Sequence, residues 1–179
     1  MTRRTPKPLD ANGLMAFAAQ ALSARALTVS ELREKLKRRA AEPADVDHVL
    51  ARLKESGYLN DQRFADSYAG WRRDDGGFGK MRVMRDLMAR RVAPALAIQT
   101  ADASYAEVDE IAMIEKFLER KFRGKNLGVL LADQKYLASA YRRLRGAGFS
   151  TGNSIRVLKR YAADADRLEE MEPPEGAEE

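Results

Sequence analysis

The chain has 179 residues, one histidine and no cysteine, so it has no disulfide and no thiolate metal ligand. No run approaches the roughly 18 apolar residues of a membrane-spanning helix, which favours a soluble protein with no membrane contact. The net charge of +5 is unevenly spread: residues 164–179 hold eight acids and one arginine, a net of −7, which leaves +12 on residues 1–163.

Apolar residues recur at three- and four-residue steps, which predicts an all-α protein of nine helices. After a first helix over about residues 14–26, Thr28 and Glu31 have the spacing of a capping box. Pro43 fits the first position of the third helix, which Gly57 ends. These signals place three helices before residue 58.

The fourth predicted helix carries Phe64, Tyr68 and Trp71 after a cap at Asn60 or Asp61. Aromatic side chains could stack on nucleic-acid bases, but their helical spacing favours packing in the core. A second capping box is predicted from Ser104 and Glu107, and a loop between Gly124 and Gly128. The remaining predicted helices cover about residues 80–90, a stretch from residue 94, the helix that this second capping box opens, and residues 133–145 and 151–163.

Three of these helices each contain two apolar residues four positions apart, which allows the helices to be superposed. The second residues of the three pairs are Leu36, Leu87 and Leu144. Each is followed by a helix with a further pair: Val46/Val49, Ile98/Ala101 and Ile155/Leu158. The pattern predicts three stacked three-helix repeats over residues 14–58, 59–105 and 106–166. Nine helices with an accidental register are the alternative. The proline-containing, acidic residues 167–179 are predicted to be a disordered tail.

Three segments resemble the RecX family, the regulators of the RecA recombinase. In chain order they are ALSARALTVSELREKLKRR (21–39), GYLNDQRFADSYAGWRR (57–73) and YRRLRGAGFSTGNSIRVLKRY (141–161). The resemblance implies three tandem three-helix repeats in an elongated, curved array. One departure is Arg91-Val92, where the family usually has a glycine and an apolar residue. The linker over residues 123–136 matches no segment of the family.

The glycine-rich segment DDGGFGKMR (74–82) does not have the spacing of a nucleotide-binding P-loop. Gly76 lies three residues before Gly79-Lys80, Met81 replaces the hydroxyl residue, and no strand precedes the segment. We expect a flexible joint between two helices. No other residue pattern supports catalysis or a cofactor, and the single His48 is expected at the surface.

A basic body predicts a polyanionic partner, although a solvated basic surface without one is the alternative. The first candidate is a basic ridge in the second repeat, where arginine and lysine would meet phosphates or acidic side chains. Its members are Arg72, Arg73, Lys80, Arg82 and Arg85, of which Arg82 and Arg85 are expected to face solvent. The second candidate lies in the third repeat, at Arg142, Arg143, Arg145, Arg156, Lys159 and Arg160.

The resemblance implies a non-catalytic, cytoplasmic and monomeric regulator that binds the RecA–single-stranded DNA filament. It would mainly inhibit RecA's recombinase, ATPase and co-protease activities. The basic charge adds weak, non-specific binding of single- and double-stranded DNA. The alternative is a helix-turn-helix transcriptional repressor, with GAGFSTGNSIRVLKRY (146–161) as its recognition segment.

Overall fold

A computed structural model describes residues 7–162 together with Ala165 and Leu168. This part of the chain contains ten α-helices and, apart from one isolated bridge between Leu9 and Ala40, no β-structure. The helices are α1 (Ala11–Ala24), α2 (Val29–Lys37), α3 (Pro43–Glu55), α4 (Asp61–Asp74), α5 (Lys80–Ala89), α6 (Pro94–Tyr105), α7 (Glu110–Lys121), α8 (Leu127–Leu131), α9 (Gln134–Ala147) and α10 (Thr151–Leu158). The all-α prediction is confirmed. None of these helices is long and apolar enough to cross a membrane.

The described residues form ten helices where the sequence predicted nine, and one predicted helix cap is wrong. The helix α8 replaces part of the predicted loop, because the Asn126 side chain accepts the Val129 N–H at 3.2 Å and caps a single turn. The second predicted capping box is wrong, since Ser104 lies inside α6. Asp109 caps α7 instead by accepting the Ala112 N–H at 3.1 Å.

The described chain forms two compact units. Unit 1 holds the chain up to Tyr68 together with Asp86–Thr100. Its core is formed by α1, α2 and α3, with Leu14, Leu32 and Leu50 among the fully enclosed side chains. The predicted capping box is present: Thr28 accepts the Glu31 N–H, and the Glu31 carboxylate accepts the Thr28 N–H.

Unit 2 holds Ala69–Arg85 and the chain from Ala101 onward. Its core is built by α7, α9 and α10, where Phe149 packs edge-on against Phe117 with ring centroids 5.5 Å apart. Ala165 and Leu168 are also buried in this core. Apart from Leu168, the acidic tail predicted for residues 167–179 lies outside the described residues.

The leucines that define the predicted repeat, Leu36, Leu87 and Leu144, are all fully buried. The next apolar pair is shifted in α6, where Ala97 and Ala101 are buried and Ile98 is exposed. Residues four apart share a helix face, so Ala97, and not Ile98, lies beside Ala101.

The prediction that Trp71 packs in the core is wrong, since its side chain is 55% exposed. Ala65 and Ala69, four residues apart, are the fully buried positions of α4. Trp71 lies two positions beyond Ala69, which places it about 200° around the helix from that face. Phe64 and Tyr68 are half-buried and stack on each other with centroids 5.9 Å apart.

Candidate functional site

The glycine-rich segment between α4 and α5 makes a close backbone contact with the end of α9. The Gly79 N–H donates to the Ala147 carbonyl at 2.9 Å, and the Met81 N–H donates to the Gly148 carbonyl at 3.1 Å. A Cβ atom on Gly79 would lie 2.3 Å from the Gly148 oxygen. The segment joins two helices as predicted, but Gly79 serves a close approach and not a flexible joint.

The same contact pairs the unsatisfied backbone groups of two helix ends. The first N–H groups of a helix and the last carbonyls have no partner within that helix. Here N–H groups at the start of α5 bind carbonyls at the end of α9. Gly148 ends α9 in the left-handed conformation, with φ of +89°, and a Cβ there would lie 2.2 Å from the Arg82 nitrogen. Neither Gly79 nor Gly148 can therefore carry a side chain without displacing backbone.

Two further side chains hold the segment in place. The Tyr105 hydroxyl donates to the Phe78 carbonyl at 2.5 Å, and Arg120 donates to the Gly76 carbonyl at 2.7 Å. Burial raises the pKa of Tyr105 to about 12. The phenol therefore stays protonated at neutral pH and keeps its donor. All of these contacts lie within unit 2.

Two residues of the predicted basic ridge lie at the end of α4 and make internal contacts. The Arg72 guanidinium lies over the Phe78 ring, 4.0 Å from its centroid. Arg73 binds the Asp74 carboxylate at 2.7 and 3.0 Å and donates to the Ser104 carbonyl at 2.6 Å. The hydrogen bond to Asp74 raises the pKa of Arg73, and the same bond lowers the pKa of the Asp74 carboxyl. Arg73 thus has a structural role in this unit.

The other three ridge residues lie on α5. Lys80 forms an ion pair with Asp102. Arg82, which was expected to face solvent, is half-buried and donates to the Gly146 carbonyl at 3.3 Å. Because the start of α5 packs on the end of α9, the Arg82 side chain reaches the last turn of α9. Arg85 is exposed as expected, and its Nε donates to the Met81 carbonyl at 3.3 Å.

The candidates in the third repeat divide into exposed and engaged side chains. Arg142, Arg143 and Arg156 are exposed and form no ion pair with any described residue. Lys159 is also exposed. Arg145 donates to the Phe149 carbonyl at 2.6 Å. Arg160 forms an ion pair with Glu115 on α7.

The contact between α5 and α9 brings parts of the two candidate sites together. Arg82 binds the Gly146 carbonyl at 3.3 Å, and Arg142 lies about one helical turn before Gly146 on α9. We call Arg82, Arg85, Arg142 and Arg143 the α5–α9 basic surface. The sequence suggested these cations as alternatives in two repeats, and all four lie on helices of unit 2.

The sequence did not predict that Gly79 and Gly148 contact each other. A local signal exists, since Gly77-Phe78-Gly79 and Gly146-Ala147-Gly148-Phe149 both combine glycine with phenylalanine. That signal indicates two tight turns but not that they meet. Within the part of the chain that the structure describes, no cluster of three His, Cys, Asp or Glu side chains could hold a metal ion. His48 is exposed as predicted.

Comparisons with known proteins agree on one family. The family model of the first three-helix domain of RecX matches residues 15–53, and that of the second three-helix domain matches residues 60–100. The regulatory protein RecX of Deinococcus radiodurans is 34% identical over 178 residues, which cover 98% of this chain and 79% of the relative. The regulatory protein RecX of Halorhodospira halophila is 33% identical over 156 residues, covering 87% of this chain and 90% of the relative.

Solved structures agree on the fold. The crystal structure of RecX from Lactobacillus salivarius matches with a TM-score of 0.64 at 16% identity, covering 84% of this chain and 96% of that one. A second crystal structure of regulatory protein RecX matches with a TM-score of 0.64 at 18% identity, covering 83% of this chain and 74% of that one. At these identities, the likeness concerns the fold alone.

Proposed function

Because this chain belongs to the RecX family, we propose that it is a non-catalytic regulator that binds the RecA–single-stranded DNA filament. In this proposal it mainly inhibits RecA's recombinase, ATPase and co-protease activities. It acts in the cytoplasm as a monomer and needs no cofactor. The three repeats keep the boundaries 14–58, 59–105 and 106–166.

The observation that carries the proposal is the α5–α9 basic surface. The contact between Gly79 and Gly148 fixes two basic helices against each other, so their cations are held in a defined arrangement before a ligand arrives. Preorganised charges lose less conformational entropy on binding. Arg142 and Arg143 are exposed and can form charge-assisted hydrogen bonds with phosphates or with acidic side chains of RecA.

The same cations support weak DNA binding without base readout. The +12 charge of residues 1–163 attracts a polyphosphate backbone of any sequence. The affinity for single- and double-stranded DNA should therefore fall steeply with salt. The acidic residues of the tail compete with phosphate for these cations, so truncation of the chain after Asp166 should strengthen binding.

The repressor alternative requires α10 to present free polar side chains to base edges. The start of this helix is instead bound to Glu110. The Ser150 N–H donates to the Glu110 carboxylate at 2.8 Å, and its hydroxyl and the Asn153 amide each donate to it at 2.5 Å. These contacts engage Ser150 and Asn153, the polar residues at the start of α10 from which a recognition helix would contact base edges, so the filament regulator is the better-supported function.

The test is inhibition of RecA's single-stranded-DNA-dependent ATPase by the Arg142→Gln/Arg143→Gln variant. Both side chains are exposed and form no ion pair with described residues, so we expect the melting temperature to stay within the error of the measurement. The concentration required for half-inhibition should rise about tenfold or more, which corresponds to about 1.4 kcal/mol of lost binding free energy. Arg82 is left unchanged because it binds Gly146.

The matched control is Arg52→Gln/Lys54→Gln, which removes the same two charges from exposed positions of α3 in unit 1. The control should inhibit like the parent protein. A folded Arg142→Gln/Arg143→Gln protein that also inhibits like the parent would contradict the proposed site. A thousandfold preference for one DNA sequence in the absence of RecA would instead support the repressor.

A further inference from the structure

The α7–α8 turn carries a second basic feature, made of residues that the α5–α9 basic surface does not include. A surface depression of about 560 Å³ lies at the end of α7 and the start of α8. Its lining includes four cations, Lys116, Arg120, Arg123 and Lys125, against one carboxylate, that of Glu119. The volume lies within the roughly 300–1,000 Å³ of binding sites for small molecules.

These cations are largely unneutralised. Lys116, Arg123 and Lys125 form no ion pair within the described residues, even though Glu119 lines the same depression. Like charges gathered in one depression repel each other, and a bound anion relieves that repulsion. The depression is therefore suited to a ligand with more than one negative charge.

The local backbone explains why the cations point outward. Phe122 ends α7, and its carbonyl accepts the Lys125 N–H at 3.0 Å, which closes a turn. Gly124 adopts φ of +77° in that turn, a conformation that favours glycine. The turn leaves Arg123 and Lys125 exposed on either side of Gly124.

An aromatic ring distinguishes the possible ligands. The half-buried Phe122 packs against the core of unit 2 and also lines the depression. Single-stranded nucleic acids are bound by cations that follow the phosphates and by aromatic rings on which bases stack. An acidic peptide would use the cations but would have no need of the ring.

We propose that the α7–α8 depression is a binding site for single-stranded nucleic acid. Lys116, Arg123 and Lys125 contact phosphates, and a base stacks on Phe122. Arg120 connects the depression to the α4–α5 segment, since its guanidinium donates to the Gly76 carbonyl. This proposal assigns a location to the weak DNA binding of the proposed function, and it rests on that function only for the class of ligand.

The test uses the full chain without RecA and measures the fluorescence anisotropy of a labelled oligothymidylate of about 30 nucleotides. The Arg123→Gln/Lys125→Gln variant should bind at least about tenfold more weakly. Its plot of log affinity against log salt should be shallower by about 1.4, or 0.7 for each lost phosphate contact. Arg52→Gln/Lys54→Gln is the control, because it removes the same residue types at the same spacing from an exposed helix.

A Phe122→Leu variant tests the stacking. It keeps an apolar side chain in the core, and it should weaken binding of oligothymidylate but not of an abasic strand of equal length. If Phe122→Leu binds oligothymidylate as tightly as the parent protein does, or weakens binding of the two strands equally, Phe122 does not stack on a base. The proposal is overturned if Arg123→Gln/Lys125→Gln binds oligothymidylate with the same affinity as the control variant. It is also overturned if this variant loses affinity only for polyglutamate, which represents an acidic peptide. A parent that binds no oligothymidylate would overturn the weak DNA binding of the proposed function as well.

Discussion

Unit 1 and unit 2 connect distant parts of the chain by different means. In unit 1 the connection is a side-chain network: the Thr28 hydroxyl donates to the Arg90 carbonyl at 2.9 Å, and the Arg90 guanidinium donates to Glu31 at 2.6 and 3.1 Å. In unit 2 it is a backbone contact between Gly79 and Gly148. Removing one side chain from the network of unit 1 loses only the hydrogen bonds of that side chain. A Cβ atom on Gly79 or Gly148 would instead displace the backbone of the contact itself.

The comparison also separates two uses of arginine. In unit 1, Arg90 packs over the Phe64 ring at 5.0 Å and binds Glu31, so its charge is used to hold the fold. In unit 2, backbone hydrogen bonds hold α5 against the end of α9. Arg142 and Arg143, on the helix that the contact anchors, are exposed.

The largest effect is expected at the glycine contact. Gly148→Ala adds a Cβ that would lie 2.2 Å from the Arg82 nitrogen, at a residue with φ of +89°. Overpacking costs about 1–3 kcal/mol and left-handed backbone about 1–2 kcal/mol for a residue other than glycine. We expect the free energy of unfolding in urea to fall by about 2–5 kcal/mol, the sum of the two contributions.

Gly146→Ala is the matched control for that measurement. It lies two residues earlier in the same helix, and a Cβ there would meet nothing within 4 Å. Alanine in a helix is more favourable than glycine, so this variant should gain up to about 1 kcal/mol. Equal stabilities of the two variants would show that the close contact does not hold unit 2 together.

A smaller effect is expected from the network of unit 1. Glu31→Gln keeps the size of the side chain but removes the charge that binds Arg90, and should cost about 1–2 kcal/mol at neutral pH. Burial acts to raise the pKa of Glu31, but hydrogen bonds from Arg90 and from the Thr28 N–H outweigh it and hold the pKa below 4.5.

The direction of this shift fixes the pH dependence. Because the pKa is lower in the folded protein, the unfolded chain takes up the proton first as the pH falls. The contribution of Glu31 is therefore complete above pH 4.5 and is lost as the pH falls through the folded-state pKa. The melting temperatures of the parent and of Glu31→Gln should differ at neutral pH and converge in acid. A constant difference across this range would contradict the assigned role.

Features encoded within a few residues could be predicted from the sequence. Periodicity located the buried Leu36, Leu87 and Leu144, and the Thr28 capping box was evident from its spacing. The helix α8 was missed because five residues are too few for a helical period to show. Trp71 was misplaced because the small Ala65 and Ala69, and not the aromatic residues, fill the core face of α4.

The candidate site was predictable only in composition. The sequence supplied its cations, but their exposure depends on contacts between residues far apart in the chain. Lys80 and Arg160 are paired by Asp102 and Glu115, on other helices. The contact of Gly79 with Gly148 likewise has no local signature, because each glycine is explained by its own turn. Tertiary packing therefore decides which of the predicted cations can meet a ligand.

The smallest effect concerns Arg91, which ends α5 in the left-handed conformation with φ of +61°. Its N–H donates to the Met88 carbonyl at 2.8 Å, and the Val92 N–H donates to the Leu87 carbonyl at 3.1 Å. This pair of bonds is a Schellman motif, in which glycine is usual at the left-handed residue. Arg91 is the one non-glycine residue with positive φ in the described part of the chain.

The end of α9 shows the same motif with glycine in place. The Gly148 N–H donates to the Arg145 carbonyl at 3.0 Å, and the Phe149 N–H donates to the Leu144 carbonyl at 3.2 Å. Arg91 therefore occupies at the end of α5 the position that Gly148 occupies at the end of α9. Arg91→Gly should relieve the strain of the left-handed backbone, but it also removes an exposed ion pair with Glu34 at 4.0 Å.

Arg91→Ala separates these two contributions, because it removes the ion pair and keeps a Cβ in the left-handed conformation. Glycine loses more backbone entropy on folding, which offsets part of the relieved strain. We expect Arg91→Gly to be more stable than Arg91→Ala by about 1 kcal/mol, a difference in melting temperature of about 2–4 °C for a chain of this size. If Arg91→Ala melts at the same temperature or higher, the arginine is not strained. The left-handed conformation of Arg91 would then cost the fold nothing.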